Sequence, residues 1–289
     1  MRAGQVQAQA KINHLLHVLR RDDATGYHDL STIFQRIDLA DDVIVRTDVS
    51  GRTLDVTGPR VPAGGLGAVE KNLAYRAAVE FSRRAGWPDG FAIQLTKNIP
   101  VGAGLGGGSA DAGGVLRILN ALAPERLPDG ALMDVASALG SDVPFLTTEW
   151  YKAIGVRRGD DLTNGSLPPI GPPVFVVIVV PGFAISTADA YRWLDETRPP
   201  GYLRPLEDLD VDTSANDFEP VVEARYPELR LIRERLLAKG AFRARLAGSG
   251  SCVFGLFREI PPSDAELGLE HQMIRTQLST RVVQVQVLE

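Results

Sequence analysis

The stretch Pro100-Val-Gly-Ala-Gly-Leu-Gly-Gly-Gly-Ser-Ala-Asp-Ala-Gly-Gly114 carries seven glycines in fifteen residues and runs straight into a mostly apolar segment, residues 115–123. A bare backbone that opens into a helix offers unpaired N–H groups and the positive end of the helix dipole, which is the chemistry of phosphate binding. Glycine alone takes the left-handed turns such a loop needs while keeping Cβ atoms away from an anion. A flexible linker is the competing reading, but linkers rarely lead directly into a helix-forming segment. Gly102-Ala-Gly104-Leu-Gly-Gly107 also fits G-x-G-x-x-G. Lys97-Asn-Ile-Pro100 intervenes after the preceding strand, which argues against a dinucleotide fold and an NAD enzyme. No lysine follows the glycines as in nucleoside-triphosphatase loops.

Other residues of chemical interest lie far from this loop in the chain. Lys11 and Asn13 flank apolar Ile12, so a strand would turn both to one face. Asp142, in Gly140-Ser-Asp-Val-Pro144, reads by pattern alone as a turn former. Its functional alternative is a carboxylate acting as base on an alcohol, with its charge stabilised by a lysine such as Lys11. Tyr27 and His28 could form a simple hairpin turn or grip a nucleobase by stacking and edge hydrogen bonds. Gly248-Ser249-Gly250 is a second glycine turn, either a hairpin or a further phosphate contact. His14 and His17 would face opposite sides of a strand, which disfavours a metal pair. His271 falls on a polar helix face and reads as inert, and Cys252 as a buried structural thiol.

Alternating strands and helices must position these groups. Strands are expected over residues 6–10, 14–20, 30–39, 42–47 and 91–96, and helices over 70–85, from the glycine loop to 123, and over 130–139. Pro168-Pro-Ile-Gly-Pro-Pro173 marks a boundary, dividing the chain into residues 1–166 and 167–289. Beyond it the pattern predicts a strand at 174–180 and helices from 187 and over 219–239. Strands at 243–246 and 252–257, a helix over 264–278 and a closing strand at 281–288 follow. This is an α+β arrangement.

Composition narrows the partners. The 289 residues are 44% hydrophobic and 23% charged, enough for a packed core. Net charge is −5 and no basic run exceeds two residues, which argues against nucleic acid. The pairs Arg20-Arg21, Arg83-Arg84 and Arg157-Arg158 read as solvated surface or isolated phosphate contacts. One cysteine precludes an internal disulfide, and neither a signal peptide nor a membrane span is evident. A cytoplasmic protein is expected.

Lys11-Ile-Asn13, Gly26-Tyr-His28, the glycine loop, Ser141-Asp-Val-Pro-Phe145, Asn216-Asp-Phe-Glu-Pro220 and Leu246-Ala-Gly-Ser-Gly-Ser-Cys252 follow one another in this order. Together they resemble the GHMP kinase superfamily and, within it, the branch that phosphorylates 4-diphosphocytidyl-2-C-methyl-D-erythritol in non-mevalonate isoprenoid synthesis. The resemblance implies an N-terminal ribosomal-protein-S5-like fold against a C-terminal ferredoxin-like half. It implies Asp142 as base with Lys11 beside it, and Asn13, Tyr27, His28, Thr187 and Tyr191 on the CDP-linked polyol. Asn72 and Lys97 would lie near adenosine. Pro100, Gly102, Gly104, Leu105, Gly106, Gly107, Gly108, Ser109, Gly248, Ser249 and Gly250 would surround the ATP phosphates. ATP and Mg²⁺ are the implied cofactors, with the metal ligands open and the chain a monomer or weak homodimer. The rival readings are another alcohol kinase of the superfamily and a non-catalytic nucleotide-binding module. Trp150, Tyr151 and Arg157 stand where the family carries glycines, a departure expected to reshape a loop beside the site.

Overall fold

Two long antiparallel strands form the spine of the protein. The computed structural model describes residues 2–22, 26–164, 173–199, 201–203 and 215–288. In it β1 (Ala3–Arg21) and β2 (His28–Thr47) pair from Ala3↔Arg46 to Arg21↔His28. The four short strands expected here are therefore two continuous ones. The polar residues that suggested breaks fall instead beside register shifts at Gln9/Lys11 and Asn13/Leu15. Such irregularities re-aim side chains without ending a strand. Asp41 and Asp42 likewise lie within β2, where Asp41 is buried.

Around the spine stand β3 (Arg52–Thr57), β4 (Phe91–Thr96), β5 (Lys152–Arg157), β6 (Asp161–Thr163) and the last strand, Gln286–Leu288. They make a seven-stranded sheet in which β3 runs parallel to β4 and the last strand pairs with β1 at Ala3↔Leu288. The closing strand thus returns to the first sheet. Helices α1 (Leu73–Ala85), α2 (Gly107–Leu122) and α4 (Val143–Thr147) pack on this sheet, and α3 (Asp129–Leu139) packs on those three helices. Asn72 caps α1 by accepting from the Ala74 N–H, and Gly86 ends it in the left-handed region at φ 68°. Helix α2 is buried nearly all round, and Gly113 lets its backbone approach α4. A Cβ there would lie 2.5 Å from the Leu146 carbonyl oxygen.

The second sheet is antiparallel: β10 (Gln272–Gln277), β7 (Phe175–Val180), β9 (Val253–Phe257) and β8 (Arg243–Leu246), in that order. Alternation along β7 divides its side chains between two cores. Val176 and Ile178 join the core of the first sheet. Val177 and Val179 pack with residues of α5 (Thr187–Glu196), α6 (Phe218–Arg225) and α7 (Pro227–Ala238). The first of these two cores therefore spans both sheets, and the halves meet along a packed seam.

Several expected elements differ. The helix expected over 219–239 is two, α6 and α7, because proline at 227 starts a new helix at its first position. The helix expected over 264–278 is only α8 (Asp264–Leu267), which Gly268 ends at φ 60°. Gln272–Gln277 then pairs as a strand with β7, so His271 precedes a strand and is not on a helix face. The boundary placed in the proline-rich run falls largely outside the described residues. Among the described residues no helix is long and apolar enough to cross a membrane.

Candidate active site

The register shifts in β1 turn Lys11 and Asn13 into the seam between the halves, where both are buried. The Lys11 ammonium donates to Asn13 Oδ1 at 3.0 Å and ion-pairs with Asp142 Oδ2 at 3.2 Å. The amide of Asn13 donates to Thr32 Oγ1 at 2.7 Å, and that hydroxyl donates onward to the Leu15 carbonyl. A fully hydrogen-bonded chain thus holds the lysine head in place. Asp142 stands at the N-cap of α4 and makes no capping bond, so its carboxylate is open to the cavity and to Lys11.

The glycine loop crosses directly over this pair. The Lys11 backbone N–H donates to the Leu105 carbonyl at 3.0 Å. Gly106, at φ 71°, begins α2, and a Cβ there would sit 3.0 Å from the Lys11 side chain. From the other half, the β8–β9 turn grips the loop. Cys252 donates its N–H to the Ala103 carbonyl, and a Cβ on Gly104 would lie 1.8 Å from the Ala247 carbonyl oxygen. Asn216 supports that turn by donating to the carbonyls of Leu246 and Gly248 at 3.0 and 2.7 Å. The turn at 248–250 is thus both a hairpin and a wall of the site.

A cavity of about 580 Å³ opens along the seam. Its walls include Lys11, Asn13, Asn72, Lys97, Asp142, Thr187, Tyr191, the whole run from Pro100 to Ser109, and Gly248, Ser249 and Gly250. Thr187 and Ser249 share a hydrogen bond of 3.0 Å. Tyr27 and His28 stand outside this wall. Tyr27 is 57% exposed, with the Arg158 guanidinium 5.2 Å from its ring centre. The His28 ring stacks on Tyr191 at 4.5 Å, and its Nε2 meets Asp195 Oδ1 at 2.8 Å. Burial, with Asp142 and Asp195 adding to it, pushes the Tyr191 hydroxyl pKa upward, so this ring stays neutral.

Lys97 and Asn72 face the cavity with their polar groups already engaged. Asn72 is the α1 cap. The Lys97 ammonium lies beneath the start of α2 between Asp41 and Asp111, 2.5 Å from the latter. Burial, reinforced by Asp41, raises the Asp111 carboxyl to about 8 against the pull of Lys97, and one Asp111 oxygen has no partner. Arg158, expected as solvated surface or an isolated phosphate contact, lines the cavity, whereas Asp41, Asp111 and Thr32 were not expected at the site. Of these only Asp111 carried a local signal, inside the glycine segment. The histidines behave as single groups: His17 meets Asp217 Oδ1 at 3.1 Å, and burial beside Lys152 and Arg243 lowers His14 to about 3. Trp150, Tyr151 and Arg157 do not line the cavity.

This seam and loop have counterparts in known proteins. Residues 72–149 match the GHMP kinases N terminal domain and residues 202–274 the GHMP kinases C terminal domain. The chain is 43% identical over 266 residues to the 4-diphosphocytidyl-2-C-methyl-D-erythritol kinase of Moorella thermoacetica, covering 86% of this chain and 88% of that one. The chain belongs to the 4-diphosphocytidyl-2-C-methyl-D-erythritol kinase family of GHMP kinases. The enzyme of that name from Geobacter metallireducens is 40% identical, over 89% of this chain and 90% of its own. A crystal structure of 4-(cytidine 5'-diphospho)-2C-methyl-D-erythritol kinase superposes with a TM-score of 0.74 at 34% identity, covering 95% of this chain and 98% of its own. The homoserine kinase of Cytophaga hutchinsonii, at 19% identity and a TM-score of 0.68 over 99% of this chain and 97% of its own, shares the fold. Membership of this kinase family accounts for both halves of the α+β chain.

Proposed function

We propose that this protein transfers the γ-phosphoryl group of ATP to the 2-hydroxyl of 4-diphosphocytidyl-2-C-methyl-D-erythritol. The observation that carries the reading is the Lys11–Asp142 ion pair beside the glycine loop, in a cavity shared by both halves. Relatives bearing that enzyme's name at about 40% identity supply the substrate.

Phosphoryl transfer asks little covalent chemistry of the protein; placement and charge neutralisation dominate. Asp142 would accept the hydroxyl proton as the oxygen bonds to the γ-phosphorus and the bond to the β-phosphate oxygen breaks, releasing ADP. Lys11, ion-paired with that carboxylate, offsets negative charge developing at the centre. The backbone from Gly104 to Ser109 and the start of α2 would hold the phosphates, where added Cβ atoms at Gly104 and Gly106 would collide. On this reading Asn13 and Thr187 meet the polyol, Tyr191 stacks on cytosine with Tyr27 and His28 completing its pocket, and Asn72 and Lys97 border adenosine. The division at residues 166 and 167 separates the two functional halves.

Among the described residues no three His, Cys, Asp or Glu side chains converge on a metal site. That donor set fits Mg²⁺ arriving on the triphosphate better than a resident metal. Ser109, on the cavity wall, or an acidic neighbour would supply a protein oxygen, and the ion would neutralise phosphate charge. The reading places a monomer or weak homodimer in the cytoplasm, with a small-molecule substrate.

The test is an ADP-release assay across a panel of alcohols, with and without the CDP-linked polyol. Turnover stimulated selectively by that polyol is expected. Asp142→Asn should lower kcat at least about 10²-fold while ATP binding persists. Near-normal turnover in that variant would remove Asp142 from its role, and turnover with another alcohol alone would redirect the substrate.

A further inference from the structure

Arg36 is the largest fully buried side chain in the protein, 1% exposed and absent from the cavity wall. Among the described residues no carboxylate lies within ion-pair range of it. Burial, with Arg117 adding to it, pulls its guanidinium down to about 9, so a real electrostatic cost is maintained here. A buried charge of this kind persists only when its donors are satisfied. Its Nε and Nη2 donors go to one place. Nη2 donates to the carbonyls of Phe145 at 3.0 Å and Thr148 at 2.9 Å, and Nε donates to that of Trp150 at 3.0 Å. These are carbonyls of the C-terminal end of α4 and the turn leaving it, a favourable place for a cation.

The location joins the two reacting side chains. Arg36 is the cross-strand partner of Lys11 in the β1–β2 ladder. Helix α4, whose far end it holds, begins immediately after Asp142. Its guanidinium lies over the Phe145 ring at 5.1 Å, Phe145 stacks on Phe34 at 4.9 Å, and Lys11 Nζ lies 5.9 Å from the Phe34 centre. Both ends of its backbone are pinned as well, the N–H to the Tyr151 carbonyl and the carbonyl to the Ser279 N–H. Asp142 makes no capping bond, so its carboxylate goes where α4 goes.

We infer that Arg36 is a positioning residue for phosphoryl transfer, fixing the separation of Lys11 and Asp142 by tying the strand of one to the helix of the other. This rests on the function proposed above. A guanidinium required for positioning acts on the reacting geometry and leaves the binding of ATP and alcohol to other residues.

The experiment compares wild type, Arg36→Lys and Arg36→Met for kcat, for KM of each substrate, and for melting temperature. Activity is expressed per site that binds a non-hydrolysable ATP analogue. A displacement near 1 Å at the reacting pair predicts a fall in kcat of about 10²-fold for Arg36→Met. Both KM values should stay within about twofold, and Arg36→Lys, which can still donate to two carbonyls, should recover about tenfold. Wild-type kcat per binding site in Arg36→Met would overturn the inference, as would a rise in KM at unchanged kcat. Failure of both variants to fold would assign the guanidinium to folding at large and equally overturn it. Wild type without turnover on any alcohol would instead remove the functional reading beneath it.

Discussion

Lys11 shows how little of a reactive residue's setting is local. Its neighbours Ile12 and Asn13 are adjacent in sequence, yet its ion-pair partner Asp142 and the carbonyl over its backbone, Leu105, come from elsewhere in the chain. The same holds for the aromatic pocket. His28 starts β2, while Tyr191 and Asp195, which stack on it and bind its Nε2, belong to α5 in the other half. Removing the imidazole would strip the stacked ring from Tyr191 and leave Asp195 only its longer contact with Arg21. His28→Ala, and Tyr27→Ala beside it, should therefore raise KM for the CDP-linked alcohol about tenfold with KM for ATP nearly unchanged. Steady-state kinetics with each substrate varied in turn decide this, and unchanged alcohol KM in both variants would dismiss a cytidine pocket.

Helix α2 is the element on which the site depends, and its N-terminus rests on a buried cluster of Lys97, Asp41 and Asp111. Lys97 is held between Asp41 of β2 and Asp111 of α2, all three buried. Asp41 also accepts from the backbone N–H groups of Asn98 and Ile99, so the cluster anchors the chain that leads into the glycine loop. In the unfolded chain Asp111 titrates at its ordinary 3.8, and in the folded protein near about 8. Between these values the folded state holds the extra proton. The stability it contributes is fully present below the unfolded value and is lost as pH rises through the folded one. Melting temperature should therefore fall from about pH 4 to about pH 8 and level off above that, and Asp111→Asn should flatten that part of the slope. An unchanged slope in thermal melts of the variant would show that the cluster does not carry this dependence.

At the scale of the whole molecule, the two sheets share one core and clasp the phosphate loop between them. The tightest point is Gly104, at φ 81° with the Ala247 carbonyl directly against it. A methyl group there is excluded by the backbone angle and by backbone of the other half, so neither side can yield by a rotamer change. Gly104→Ala should cost about 1–3 kcal/mol in urea denaturation. It should also weaken ATP binding, because relief requires the halves to part at the loop. Wild-type stability with wild-type ATP affinity would mean that the clasp is looser than its geometry.

Much of this protein was legible from its residues alone. Glycine spacing marked the bare turn that opens α2, period-two and helical patterns located β4 and α1 because each buries one face, and apolar runs located β7 and α2, which are buried on both sides. The full set of motifs in order sufficed to place the chain in its superfamily. The unbroken length of β1 and β2 was hidden, since buried Lys11, Asn13 and Asp41 look like interruptions until their partners are known. Short, partly exposed elements such as β3 and β6 leave weak patterns, and β10 was expected as helix because its pairing with distant β7 leaves no local signal. Asp142 is the clearest case. In sequence it suits a turn. Lys11, 131 positions earlier, makes it a poised carboxylate, and Arg36 fixes the helix that carries it. Residue types determined which chemistry was available. Only tertiary packing decided which groups meet, because convergence across the seam depends on long-range contacts that no local pattern records.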